Sequence, residues 1–223
     1  MVKVATAELA AVAKVRRNLY TFLSYVFLRE PNGELITTLQ EPGVVQAMQE
    51  MGIDLAATLD VGDKKQRVED LAVEYARLFL GPGRHISPHE SVQCGQPPGA
   101  GTGRGLLWGE ATVKVKEFME RLGFGLDEGS RVIPDHLGVE LELMARLAGR
   151  EEEAWRRGDK SAALECLREE KAFLEEHILR WVPGFCQEVE GEAREEFYRQ
   201  VAALTREFLQ FDHEQVGETL CGA

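Results

Sequence analysis

Arg131-Val132-Ile133-Pro134-Asp135-His136-Leu137-Gly138-Val139-Glu140-Leu141 is where the chain passes from a glycine-broken stretch into a long helical pattern. Proline is tolerated in the first turn of a helix, and Asp is favoured at a helix start, where backbone N–H groups lack intrahelical partners. The segment therefore predicts a helix opening at Pro134, with Asp135 and His136 at its N-terminal mouth. Downstream, Leu137, Leu141, Met144, Ala145 and Ala148 recur at helical spacing.

The same period governs the rest of the chain. Leu9, Val12, Leu19, Phe22, Leu23, Val26 and Phe27 mark a helix over about 6–29, which Pro31-Asn32-Gly33 stops. Two short helical pieces flank Pro42-Gly43. A helix opening at Gly62-Asp63 carries Val68, Leu71, Tyr75, Leu78 and Phe79 into Gly81-Pro82-Gly83. Another, with Val113, Val115, Phe118 and Met119, runs from Gly109 to about Leu122. Ser161 to Trp181 and Glu192 to Phe211 give the last two, with an interruption at Pro183-Gly184. The pattern weakens beyond them, and the tail over about 212–223 is expected to fray. No stretch alternates as a strand does. The fold class is all-α: a single-domain helical bundle over 1–223. Its long central loop, 81–109, holds eight glycines and four prolines. A loop of that length inside a domain points to function or disorder.

Composition narrows the function classes. The chain has 223 residues, 44% of them hydrophobic, which suffices for a core. A net charge of −12 disfavours nucleic acid, whose phosphates need clustered Lys and Arg, and suits a basic partner. No apolar run reaches the roughly 20 residues of a membrane span, so no stable membrane insertion is expected. Nor does a signal peptide show. Arg16-Arg17 is a twin arginine in letters only, since it falls inside a helical pattern. Cys94, Cys166, Cys186 and Cys221 are far apart, which fits reduced thiols in the cytoplasm.

Several chemistries fail on spacing. A carboxylate-bridged di-iron bundle needs Glu-x-x-His, and none of the five histidines has Glu three residues earlier. His85 and His89 are four apart, but Pro88 and the neighbouring glycines oppose a zinc-binding helix, and Cys94 is a distant third ligand. The run Gly99-Ala100-Gly101-Thr102-Gly103-Arg104-Gly105 lacks the Lys-Ser/Thr of a phosphate loop and follows no strand. Ser91, His136 and Asp135 do not form a triad, because adjacent helical residues point apart and no G-x-S-x-G elbow exists. Catalytic residues, metal ligands and cofactors: none is expected.

Three stretches then read together: Glu74-Tyr75-Ala76-Arg77-Leu78-Phe79-Leu80-Gly81, Pro134 through Met144, and Phe173-Leu174-Glu175-Glu176-His177-Ile178-Leu179-Arg180-Trp181. With His89-Glu90-Ser91-Val92 and Gly105-Leu106-Leu107-Trp108-Gly109 between them, they resemble the TorD/DmsD/NarJ family of redox-enzyme maturation chaperones over about 15–210. The resemblance implies an all-helical cytoplasmic protein without catalytic activity. It would bind an apo molybdopterin oxidoreductase subunit, through its twin-arginine signal peptide, until the cofactor is inserted. It implies a peptide-binding surface at Tyr75, Leu78, Phe79, Gly109, Asp135 and His136. The chemistry agrees: an arginine pair needs a carboxylate for its fork, and the apolar residues that follow need a groove. Asp135 suits the first and Tyr75, Leu78 and Phe79 the second, while His136 offers a hydrogen bond and a pH-sensitive charge. The competing roles are capping for Asp135 and plain core for the apolar three. Many relatives carry an acid where this chain has Ile133, so either the peptide preference differs or other carboxylates, such as Glu140 or Glu90, compensate. An assembly factor that grips the mature enzyme body, and a nucleotide-binding helical protein, are the alternatives. A long central hinge fits both a monomer and a domain-swapped dimer.

Overall fold

The structure, a computed structural model, describes residues 6–50, 53–59, 62–81, 85–95, 104–125 and 132–222. Most of the glycine run at 99–105, Pro82-Gly83 and Arg131 lie outside them. Among the described residues the regular elements are helices, with no strand, as the 3.6-residue period requires. In order they are α1 (Thr6–Leu28), α2 (Gly33–Leu39), α3 (Pro42–Glu50), α4 (Leu55–Leu59), α5 (Lys64–Tyr75), α6 (Glu90–Cys94), α7 (Glu110–Arg121), α8 (Leu137–Arg156), α9 (Lys160–Glu176), α10 (Val182–Glu192) and α11 (Glu196–Gly222). A π-type turn, Ala76–Leu80, extends α5, and a 3-10 turn, Ile178–Arg180, follows α9.

Short polar side chains set the helix starts. Asn32 accepts from Leu35 N at 2.9 Å, Asp63 from Lys65 N at 3.0 Å and Asp159 from Ala162 N at 3.0 Å. Each satisfies a backbone donor that the first turn leaves free. Gly158, at φ 72°, lets the chain reverse between α8 and α9.

The helices gather into two compact units. Unit 1 takes Met1–Leu28, His89–Val182 and Phe208–Ala223; unit 2 takes Arg29–Pro88 and Pro183–Glu207. The expectation of one domain over 1–223 concerns folding as a whole. The chain passes between these two clusters four times, at 28/29, 88/89, 182/183 and 207/208.

In unit 1, α8 packs along α1 and against α9. Its core holds Tyr20, Leu23, Phe27, Leu141, Met144, Phe173, Leu174 and Leu209, all buried. Gly138 permits the closest approach of α8 to α1. A Cβ there would lie 2.3 Å from Leu28 Cγ and 3.0 Å from Ser24 O, and Ser24 Oγ donates to Gly138 O at 2.7 Å. At the far end the seam narrows to Ala10, Ala13, Ala154 and Ala163 around Trp155. Where the sequence pattern put Val12 on the apolar face of α1, the structure leaves it exposed, and the alanines and Arg16 take the seam.

Unit 2 buries Leu35, Ile36, Leu39, Leu55, Leu71, Phe185, Phe197 and Tyr198. Tyr198 Oη donates to Leu71 O at 3.0 Å, and Arg67 pairs with Glu195 at 2.5 Å. Glu74 accepts from Arg77 Nε at 2.7 Å and from Arg194 N at 2.5 Å.

Three sequence expectations are corrected. The tail does not fray at 212: α11 continues to Gly222, because Asp212 and Val216 are buried. Asp212 breaks the apolar period, yet it accepts from Tyr20 Oη at 2.6 Å and pairs with Arg16. Pro183-Gly184 does not interrupt a helix but lies in the first turn of α10, where proline's missing N–H is harmless. The stretch 81–109 is not all loop, since α6 lies within it.

Candidate functional site

Pro134 and Asp135 form a turn, closed by His136 N donating to Ile133 O at 3.1 Å, and α8 starts at Leu137. His136, not Asp135, caps α8: its Nδ1 accepts from Gly138 N at 3.0 Å. Asp135 instead serves α6. Its Oδ2 accepts from Ser91 N at 2.7 Å, and its backbone O accepts from Glu90 N at 3.0 Å. The N-cap of α6, His89, gives no side-chain cap, so Asp135 supplies one from across the fold.

That clamp draws three carboxylates together. Asp135 and Glu140 are fully buried, and Glu90 is 1% exposed. Glu90 Oε2 lies 2.8 Å from His177 Nδ1, and Glu90 Oε1 lies 3.8 Å from Arg180 Nη1. Trp181 Nε1 donates to Glu140 Oε2 at 3.3 Å. Burial, and then the neighbouring Glu90 and Asp135 carboxylates, hold the Glu140 carboxyl well above its ordinary range. Asp135 Oδ1 has no hydrogen-bond partner, and the Glu140 carboxyl meets only Trp181 and the neighbouring Glu90 carboxyl. A buried acceptor left unmet costs about 1–3 kcal/mol. An unmet acceptor among clustered carboxyls suits a ligand that brings several donors, as a guanidinium fork does. His177 and Arg180 also line an open groove of about 710 Å³, with Lys114, Phe118 and Arg121. Solvent thus stands one side chain away from Glu90.

Gly109 lies beside this clamp. A Cβ on it would be 3.1 Å from Ser91 Cβ, and it opens α7 as the N-cap. The His136 and His89 rings meet edge to face, 4.9 Å between centroids. Burial, then His89, lowers the His136 pKa to about 3. Its ring is therefore neutral at physiological pH, which corrects the expectation of a pH-sensitive charge.

Tyr75, Leu78 and Phe79 fall in unit 2, where all three are buried. The Tyr75 and Phe79 rings lie 5.2 Å apart, and Phe79 stacks on Phe185 at 6.0 Å. Burial, then Glu30, pushes the Tyr75 hydroxyl up to about 12. Of the six sequence candidates, then, Gly109, Asp135 and His136 gather in unit 1 around Ser91, and the other three pack together in unit 2. Glu90 and Glu140, the other acids the sequence singled out, stand near Asp135. His177, Arg180 and Trp181 received no role from the sequence. Their signal was a His and a Trp continuing the apolar period of Phe173 and Leu174. Among the described residues no group of three His, Cys, Asp or Glu side chains is arranged to hold a metal ion. Nor is any helix long and apolar enough to cross a membrane.

Comparison with known proteins gives the family. Residues 41–187 match the profile of the nitrate reductase delta subunit. The chain belongs to this family of redox-enzyme maturation chaperones. The Shewanella pealeana chaperone protein TorD is 24% identical over 219 residues, covering 94% of this chain and 93% of that protein. TorD from Vibrio vulnificus strain YJ016 is 25% identical over 218 residues, covering 92% and 96%. A crystal structure from Archaeoglobus fulgidus, assigned as a redox enzyme maturation protein, superposes with a TM-score of 0.55. It is 21% identical and covers 87% of this chain and 93% of that one, a likeness of fold. As a TorD-like maturation chaperone this protein is not an enzyme.

Proposed function

We propose that this chaperone binds the apo catalytic subunit of a molybdopterin oxidoreductase through its twin-arginine signal peptide. It holds that subunit in the cytoplasm until the cofactor is inserted. The observation that carries the reading is the buried trio Glu90, Asp135 and Glu140, with Asp135 Oδ1 unmet. A guanidinium that reaches Asp135 and Glu140, as the side chains burying them part, supplies the missing donors and favours the ionised form of Glu140 as its counter-charge. Gly109 and His136 shape the wall around Ser91. For Tyr75, Leu78 and Phe79 we propose a supporting role in the packing of unit 2, where Phe79 meets the Phe185 and Tyr198 rings.

A second reading has its own support: the matched profile is that of the nitrate reductase delta subunit. There the chaperone would grip the enzyme body and ignore any signal peptide. Affinity capture of the client with and without its signal peptide separates the two. Capture lost on deleting the peptide supports the first reading; undiminished capture of the deleted client supports the second and sinks the first.

A further inference from the structure

Gly105-Leu106-Leu107-Trp108-Gly109 turns three large apolar side chains outward. Leu106 is 64% exposed, Leu107 47% and Trp108 67%. Trp108 holds φ at 63°, a left-handed conformation that side chains with a Cβ enter at a cost and keep only where the surroundings impose it. The surroundings here are specific. Gly105 N donates to Val92 O at 2.9 Å. A Cβ on Gly105 would lie 2.2 Å from Ser91 O and 2.6 Å from Gly95 Cα, so only glycine fits. At its other end, Gly109 abuts Ser91. The turn is thus fixed at both ends to α6, on the residue whose N–H Asp135 holds. Exposed Leu-Leu-Trp on a rigid base is an unusual surface for a chain with 29% charged residues.

We infer that the Leu106–Leu107–Trp108 turn is the docking surface for the apolar stretch that follows the arginine pair of the client's signal peptide. The inference rests on the proposed function and goes beyond it by naming where the apolar half lies. Charge complementarity selects this occupant. The turn and the carboxylate trio share α6, so a ligand with cations at one end and apolar residues next to them meets both. A second copy of this chain carries the same net charge of −12 and is repelled as a whole. Tyr75, Leu78 and Phe79 are already covered within unit 2.

The test uses the full chain and two synthetic peptides: a twin-arginine peptide followed by a leucine-rich stretch, and the same peptide with those leucines replaced by serine. Binding is measured by anisotropy for wild type, Trp108→Ser and Leu107→Ser. Both side chains are exposed, so folding is not at stake. Each substitution is expected to weaken binding of the leucine peptide by tenfold or more and to leave the serine peptide within twofold of wild type. Because Trp155 and Trp181 are buried, Trp108 should also dominate acrylamide quenching and become protected on binding. Unchanged binding of the leucine peptide by both variants overturns the inference and leaves the proposed function standing. A wild type that binds neither peptide overturns both. Dimerisation that Trp108→Ser abolishes, with peptide affinity unchanged, assigns the turn to self-association and overturns the inference as well.

Discussion

Between pH 5 and pH 8 the folded state should lose stability through Glu170. This side chain on α9 is fully buried in unit 1, where Arg16 of α1 meets Glu151 of α8, Glu170 and Asp212 of α11. Three carboxylates thus surround one guanidinium. Tyr20 Oη donates to Asp212 at 2.6 Å, and Trp155 Nε1 donates to Glu151 at 2.8 Å, but Glu170 Oε1 has no partner. Burial, opposed by Arg16 and reinforced by Glu151, pushes the Glu170 carboxyl up from 4.5 to about 8. The folded chain therefore keeps this proton up to about pH 8, whereas the unfolded chain sheds it above 4.5. The folded state binds more protons in that window, so stability falls as pH rises and levels off above it. One pKa unit is worth about 1.4 kcal/mol, which sets a ceiling of about 5 kcal/mol. Because Glu151 competes for the same proton, a change on the order of 2 kcal/mol is expected. Glu170→Gln keeps the shape and removes the titration. Urea unfolding of both proteins at pH 5, 6, 7 and 8 measures the difference. His136, lowered to about 3, acts in the opposite sense below its ordinary 6.5, but equally in both proteins, so it cancels. The variant's advantage over wild type should grow as pH rises. A difference that stays constant from pH 5 to pH 8 would refute the reasoning.

Arg16→Met removes the cation from that cluster and strands the carboxylates, so a loss of about 3–5 kcal/mol is expected, read from thermal or urea unfolding near neutral pH. A companion Arg16→Lys should recover little, because one ammonium does not span acids on three helices. Gly138→Ala forces a methyl against Leu28 and Ser24 O, for a loss of about 1–3 kcal/mol by the same assay.

The helices α8 and α9 were legible because Leu137, Leu141, Met144 and later Phe173 and Leu174 repeat without conflict, whereas α10 was read as a break. The last turns of α11 were not. Asp212 interrupts the period locally, and the residue that makes its burial tolerable, Arg16, lies 196 positions away. Asp135 shows the same limit. Helix-start rules see a cap for the helix it precedes, whereas the carboxylate serves α6, 44 residues upstream. The apolar spacing of Tyr75, Leu78 and Phe79 marks a buried face equally well whether a peptide or the rest of unit 2 covers it. Trp108 had no signature at all, since nothing in the letters Leu-Leu-Trp-Gly announces a positive φ. What the sequence did carry was the company of Asp135: Glu90 and Glu140, two acids it singled out, are buried in the same cluster.

The arginine-binding reading makes one demand that no merely structural acid cluster shares. Burial and the Glu90 and Asp135 carboxylates favour the protonated form of Glu140 in the free chaperone, and an arriving guanidinium favours the ionised form. Calorimetric titration of the full chain with the client's signal peptide, in buffers of differing ionisation enthalpy at pH 7, counts the protons exchanged. Release of about one proton on binding is predicted for wild type. Glu140→Gln, which mimics the protonated group, should release none and bind at least tenfold more weakly. Binding without proton release, at an affinity that Glu140→Gln leaves unchanged, would contradict the assignment of these carboxylates to the peptide's arginines.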